Sequence, residues 1–291
     1  MSQADIQRSI DAKAAQGGGV CRINLLGDIV LTTTLVIKEH VSLQCTGKHK
    51  LLAAQGLDIA LALQANAEVK GLQLHKQGVS FSQGDLQGFS GTGISIQGHD
   101  TTIDECFLTG FNIAIRGDGY GRCNIYRNRI DALNGVWLTN SYDITRIVDN
   151  HCWPFVTMQW AGVHDQSPPV SANRPGVAYK LDGVNDWTML RGNFSYAYAI
   201  GYEVIDGSDV TFIQCGADGS QGTSNNTGFY IHGASRITNL TSCQCAGNHV
   251  GFWVDTPGGV VQGTGNSTWG LSGATLNRVA GNTSLLQILS R

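Results

Sequence analysis

A short segment of alternating apolar positions recurs along the chain: Gly93-Ile-Ser-Ile96, Asn112-Ile-Ala-Ile115, Gly135-Val-Trp-Leu138, Ala178-Tyr-Lys-Leu181, Gly201-Tyr-Glu-Val204, Gly228-Phe-Tyr-Ile231 and Gly251-Phe-Trp-Val254. Successive starts lie 19, 23, 43, 23, 27 and 23 residues apart. The long gap reads as one ordinary unit plus an insertion of about 20 residues. Each unit also holds a second strand-like run, such as Thr102-Ile-Asp-Glu-Cys106, Asp143-Ile-Thr-Arg-Ile-Val148 or Asp209-Val-Thr-Phe-Ile213. A period in the low twenties with two or three short strands per unit predicts a solenoid whose strands stack coil upon coil. The periodicity of helical repeats and the Leu/Asn consensus of leucine-rich repeats are both missing. The expected fold is all-β, a right-handed parallel β-helix of roughly a dozen coils.

The ends fit that reading. Ala4 to Ala15 has the character of a helix, stopped by Gln16-Gly-Gly-Gly19. A short capping helix over 1–16 would cover the unpaired edge of the first coil. The first strands are expected at Val20-Cys-Arg-Ile-Asn-Leu-Leu26, Leu35-Val-Ile37 and Val41-Ser-Leu-Gln-Cys45. The β-helix is expected over 17–270 with an insertion at about 153–176, followed by a closing segment, 271–291, containing Leu285-Leu-Gln-Ile-Leu289.

Composition narrows the picture. The chain has 38 glycines but only 5 prolines in 291 residues, which favours many tight turns without collagen's strict repeat. A net charge of −3 gives no general attraction for nucleic acid or anionic membranes. No apolar run approaches the ~20 residues that span a bilayer, so membrane insertion is not expected. Met1 to Ala15 lacks the apolar centre of a signal peptide. The eight cysteines, Cys21, Cys45, Cys106, Cys123, Cys152, Cys215, Cys243 and Cys245, lack metal-ligand spacing and are expected to be buried and reduced. No metal or cofactor is expected.

The opening Ile6-Gln-Arg-Ser-Ile-Asp-Ala12, then Gln16-Gly-Gly-Gly-Val20, Thr34-Leu-Val-Ile37 and Val41-Ser-Leu43, resembles the start of pectate-lyase-like β-helices. That group includes plant-wall lyases, polygalacturonases and bacteriophage tailspikes. The paired aspartates and Gly-His-Gly of a polygalacturonase and the Asp-Pro-His-Glu of an alginate epimerase are not found, and Arg127-Asn-Arg129 lacks the spacing and acids of a pectate lyase. The resemblance therefore leans toward a phage tailspike or related depolymerase. It implies a homotrimer, a place in the virion tail and a bacterial capsular or O-antigen polysaccharide as partner.

Strand alternation sets which side chains face out. If Val136 and Leu138 point into the coil, one outer column runs Ser95, Ala114, Trp137, Lys180, Glu203, Tyr230, Trp253. The next runs Gln97, Arg116, Thr139, Asp182, Ile205, His232, Asp255. Rings interleaved with acids, a lysine and a histidine suit a sugar chain, whose C–H faces stack on aromatics while its hydroxyls need polar partners. Outward rings that merely stack on one another to stabilise the sheet are the plainer alternative. Glu203 and Asp182 are expected about 8 Å apart, within the separation of inverting glycosidases, with Asp206 as a third candidate. The plainer reading of Glu203 is a surface ion pair with Lys180. Tyr230, His232 and Lys180, beside Asp255, supply instead the base, donor and cation of a uronate lyase. Glycan binding without cleavage is a further possibility. Trp153, Trp160, His164 and Asp165 in the insertion would wall one side of such a groove. Asn150 and Asn193, with Asn128 nearly in phase, read as a structural ladder, and Gly117-Asp-Gly-Tyr-Gly121 as a turn.

Overall fold

A computed structural model of the chain describes residues 1–80, 86, 88–156, 173–219 and 226–290. The chain forms a parallel β-solenoid of about eleven turns behind one N-terminal helix. Each full coil supplies three strands, as in Thr102–Asp104, Phe107–Thr109 and Ile113–Asp118. Each strand pairs in parallel with its counterparts one coil away. Asp104 thus lies between Lys70 and Tyr126, Leu108 between Leu74 and Ile130, and Arg116 between Ser95 and Trp137. The three stacks are called the first, second and third sheets below. Among the described residues no helix is long and apolar enough to cross a membrane.

The helix α1 (Gln3–Ala15) opens with a capping box between Ser2 and Asp5 and buries Ile6 and Ile10 on the first coil. Two of its glutamines imitate a strand. Gln7 donates to Val36 O at 3.0 Å and accepts from Val36 N at 2.9 Å, and Gln3 does the same with Thr33 O (2.7 Å) and Thr32 N (2.9 Å). The carboxamides satisfy backbone groups that the sheet edge would leave open.

The first and second sheets meet at a bend where one residue per coil adopts the left-handed conformation: Glu105, Arg127, Asp149, Gly192, Gln214 and Ser242, with φ between 51° and 63°. For non-glycine residues that conformation costs about 1–2 kcal/mol. The next position holds the expected ladder. Asn128 Oδ1 accepts from Cys106 N (2.9 Å), Asn150 Oδ1 from Asn128 N (3.0 Å) and Asn193 Oδ1 from Asn150 N (3.0 Å). Asn266 repeats the contact with Cys243 N at 2.9 Å. Cys106, Cys215 and Cys243 occupy ladder positions themselves, and all eight cysteines are buried and free.

Inside the third sheet one buried column runs Leu35, Leu61, Ile94, Ile115, Val136, then Tyr179, Tyr202, Phe229, Phe252. The rings stack with centroids 4.9, 4.5 and 5.2 Å apart. Tyr179 Oη donates to Asn150 O (2.9 Å) and Tyr202 Oη to Asn193 O (2.8 Å), so the phenols reach the second-sheet bend without stranding a polar atom. The preceding position must be small. A Cβ on Gly201 would lie 2.7 Å from Gly228 O, and one on Gly228 2.6 Å from Gly251 O.

The insertion leaves the coil after the strand His151–Cys152 and returns with Arg174–Asp182. Both of its ends are tied to Asp131: Val156 N donates to Oδ2 at 2.8 Å, and the buried Arg174 guanidinium reaches Oδ1 at 2.6 Å. Trp160, His164 and Asp165 lie outside the described residues.

Candidate functional site

The outer column of the third sheet runs Arg116, Trp137, Lys180, Glu203, Tyr230, Trp253, fixed by strand register. Its neighbours alternate with the buried rings and aliphatics, so these six side chains face away from the core. Six coils at about 4.8 Å make a track of about 24 Å.

The side chains touch in sequence. The Arg116 guanidinium lies 5.4 Å and Lys180 Nζ 4.5 Å from the Trp137 ring, which two cations therefore flank. Lys180 Nζ also lies 3.3 Å from Glu203 Oε2, while His232 Nε2 lies 3.2 Å from Oε1. The His232 ring stacks on Tyr230 with centroids 4.0 Å apart, and Tyr230 meets Trp253 at 5.2 Å. The indole Nε1 atoms of Trp137 and Trp253 are buried with no hydrogen-bond partner among the described residues.

Glu203 is only 8 % exposed. Burial works to raise its carboxyl, but the His232 hydrogen bond and the Lys180 charge outweigh it and hold the group below its ordinary range. Tyr230 is pushed up, first by burial and then by the negative charges of Asp255 and Glu203, so its phenol keeps its proton. The track thus combines an ionised acid, a neutral phenol and a histidine within one cluster.

The expected residues divide clearly. Trp137, Lys180, Glu203, Tyr230, His232 and Trp253 form one contiguous set. Asp255 pairs in register with His232. Asp182 pairs with Ile205 and sits diagonal to Glu203, about 8 Å by strand spacing. Asp206 stands apart in a turn (φ 57°), where its Oδ1 accepts from Ala234 N at 2.5 Å. Ala114 does not face out. It is fully buried, and Arg116 takes its place opposite Trp137, with Asp118 rather than Arg116 opposite Thr139. The even spacing Gly93, Ala114, Gly135, 21 residues each, was the available signal for that register.

A second decorated face went unread in the sequence. On the second sheet, Phe107, Arg129, His151 and Phe194 are register partners. Arg129 lies 4.8 Å from the Phe107 ring and 4.4 Å from Phe155. His151 stacks on Trp153 at 5.6 Å and meets Phe194 at 5.1 Å. Trp153, expected in the groove wall, belongs to this cluster.

No protein-family model matches the sequence, and no curated protein matches it. Solved structures do. The tailspike of Acinetobacter baumannii bacteriophage Fri1, a capsular polysaccharide depolymerase, superposes with a TM-score of 0.60 at 19% identity, covering 99% of this chain and 55% of its own. The Dettilon tailspike protein gives 0.52 at 13% identity, covering 94% and 64%. This chain therefore spans less than two thirds of either tailspike. At such identities the likeness is one of fold, the parallel β-helix anticipated from the repeat.

Proposed function

We propose that the chain is a tailspike-type depolymerase that binds a bacterial surface polysaccharide along the third-sheet track and hydrolyses it there. The observation that carries this reading is Glu203, nearly buried and held ionised between Lys180 and His232, with rings on both sides for sugar stacking. Each carboxylate oxygen has lone pairs left for a water. Glu203 takes a proton from that water as its oxygen attacks the anomeric carbon. Asp182, about 8 Å away, delivers a proton to the departing glycosidic oxygen, which is the spacing of an inverting hydrolase. Trp137, Tyr230 and Trp253 offer stacking surfaces, Asp255 accepts hydroxyl hydrogens, and Lys180 and Arg116 suit an acidic sugar.

The Tyr230–His232 stack favours a second reading, a lyase in which these two groups shuttle the proton of a uronate beside Lys180. The shared β-helix fold of two tailspikes supports a phage-tail location, and the resemblance of the opening segment adds a homotrimer to the same proposal. The test is incubation with capsule and O-antigen from candidate hosts. Release of oligosaccharides with new reducing ends supports hydrolysis; an ultraviolet-absorbing unsaturated product assigns the lyase. Binding without release leaves a recognition module. Glu203→Gln should cut release by at least about 100-fold; full activity in that variant removes Glu203 from the chemistry.

A further inference from the structure

We propose that the outer face of the second sheet carries a separate binding groove for a neutral oligosaccharide, bounded by Phe194, Asp218, Gln244 and Trp269. It lies on a different sheet from the Glu203 track and does not depend on the chemistry assigned there.

The groove arises from two adjacent outward columns. One runs Phe194, Gly216, Gln244 and the other Tyr196, Asp218, Ala246, Trp269. Gly216 and Ala246 are the small members, so each column sinks between larger neighbours about 4.8 Å away on either side. The Phe194 ring already leans over the glycine: a Cβ on Gly216 would lie 2.9 Å from its Cδ2. The resulting hollow has a volume of about 420 Å³, inside the range of small-ligand pockets.

Its lining is what a sugar needs. Trp269 is 54 % exposed and Phe194 36 %, and such open aromatic rings offer flat surfaces to C–H faces. Gln214, Ser242 and Gln244 line the same hollow and can donate to or accept from hydroxyls. The Asp218 carboxylate has no hydrogen-bond donor and no cation among the described residues, which leaves both oxygens for a pair of neighbouring hydroxyls. Burial pushes that carboxyl up to about 6, so hydroxyl donors would relieve a desolvated group. The chemistry also sets the charge of the occupant. The lining holds one acid and no lysine or arginine, which disfavours uronates and phosphorylated sugars, and its carboxamides disfavour a purely apolar ligand.

The test uses the full chain labelled with 5-fluorotryptophan, the Trp269 resonance being assigned with Trp269→Phe. Probes are maltohexaose, cellohexaose, laminarihexaose, dextran and a set of neutral bacterial capsular polysaccharides. At least one should shift the Trp269 resonance, and both Trp269→Ala and Asp218→Asn should weaken its binding tenfold or more while each variant still melts in one cooperative transition. If no probe moves that resonance, or if both variants bind as tightly as the parent, the groove is not a sugar site. Weakening by Trp137→Ala alone would also overturn this proposal, by placing all binding on the third-sheet track, and would leave the proposed function standing.

Discussion

Early and late coils of the third sheet share one backbone template and differ in both of their side-chain columns. From Leu35 to Val136 the inner column is aliphatic, and its outer partners begin as Val36, Ala62 and Ser95. From Tyr179 to Phe252 the inner column is aromatic, and its outer partners are Lys180, Glu203, Tyr230 and Trp253. The inner change falls across the insertion between Cys152 and Arg174, whereas the outer column changes two coils earlier, at Arg116 and Trp137. Stacked rings, two of them anchored by phenol hydrogen bonds, add ring–ring and hydroxyl contacts that aliphatic packing lacks, and the proposed site would draw on such a floor. The solenoid thus keeps its coil geometry constant while a ring stack underlies only the coils of Lys180, Glu203, Tyr230 and Trp253.

The largest expected effect tests the floor. Tyr202→Ala should cost about 3–5 kcal/mol in denaturant unfolding, and Tyr202→Phe about 1 kcal/mol for the lost hydroxyl bonds. A greater loss from Leu61→Ala than from Tyr202→Ala would undo the contrast between the two cores. Next comes the track itself. Lys180→Met removes a charge that lowers the Glu203 carboxyl, so the acidic limb of the pH–rate profile should move to higher pH; an unmoved limb would separate Lys180 from the chemistry.

The second sheet offers a comparison with opposite signs. Burial pushes early His75 down to about 4 from 6.5, so its neutral folded form loses stability as pH falls through that interval. Late Asp218 is pushed up to about 6 from 3.8, so its contribution is full at low pH and fades as pH rises through that interval. Between pH 4 and 6, Asp218→Asn should therefore gain stability relative to the parent as pH rises, whereas His75→Phe should lose its advantage. Parallel melting curves across that window would show that neither group is desolvated. The smallest effect belongs to the early outer column: Ser95→Ala should stay within about 0.5 kcal/mol and leave glycan release unchanged.

Much of this was legible in the sequence because alternation and a period near 22 residues fix the face of every residue in a long strand. Trp137 through Trp253 fell into one column for that reason. In Asn112-Ile-Ala-Ile115 a slip of two residues preserves the alternation of positions, so hydrophobicity alone does not reveal that Ala114 falls at the buried small position before the inner column. The second-sheet cluster escaped because strands such as Phe107–Thr109 have three residues, too few for alternation to show. Nor does alternation reveal that Glu203 sinks to near-burial, since that depends on Lys180 and His232 closing over it from neighbouring coils.

Gln3 and Gln7 of α1 have a consequence for how molecules meet. A strand from another molecule could add to the first coil only by evicting both carboxamides, together with Ile6 and Ile10 beneath them. That end is therefore a stopper, and runaway stacking of one solenoid on the next is blocked there by two side chains.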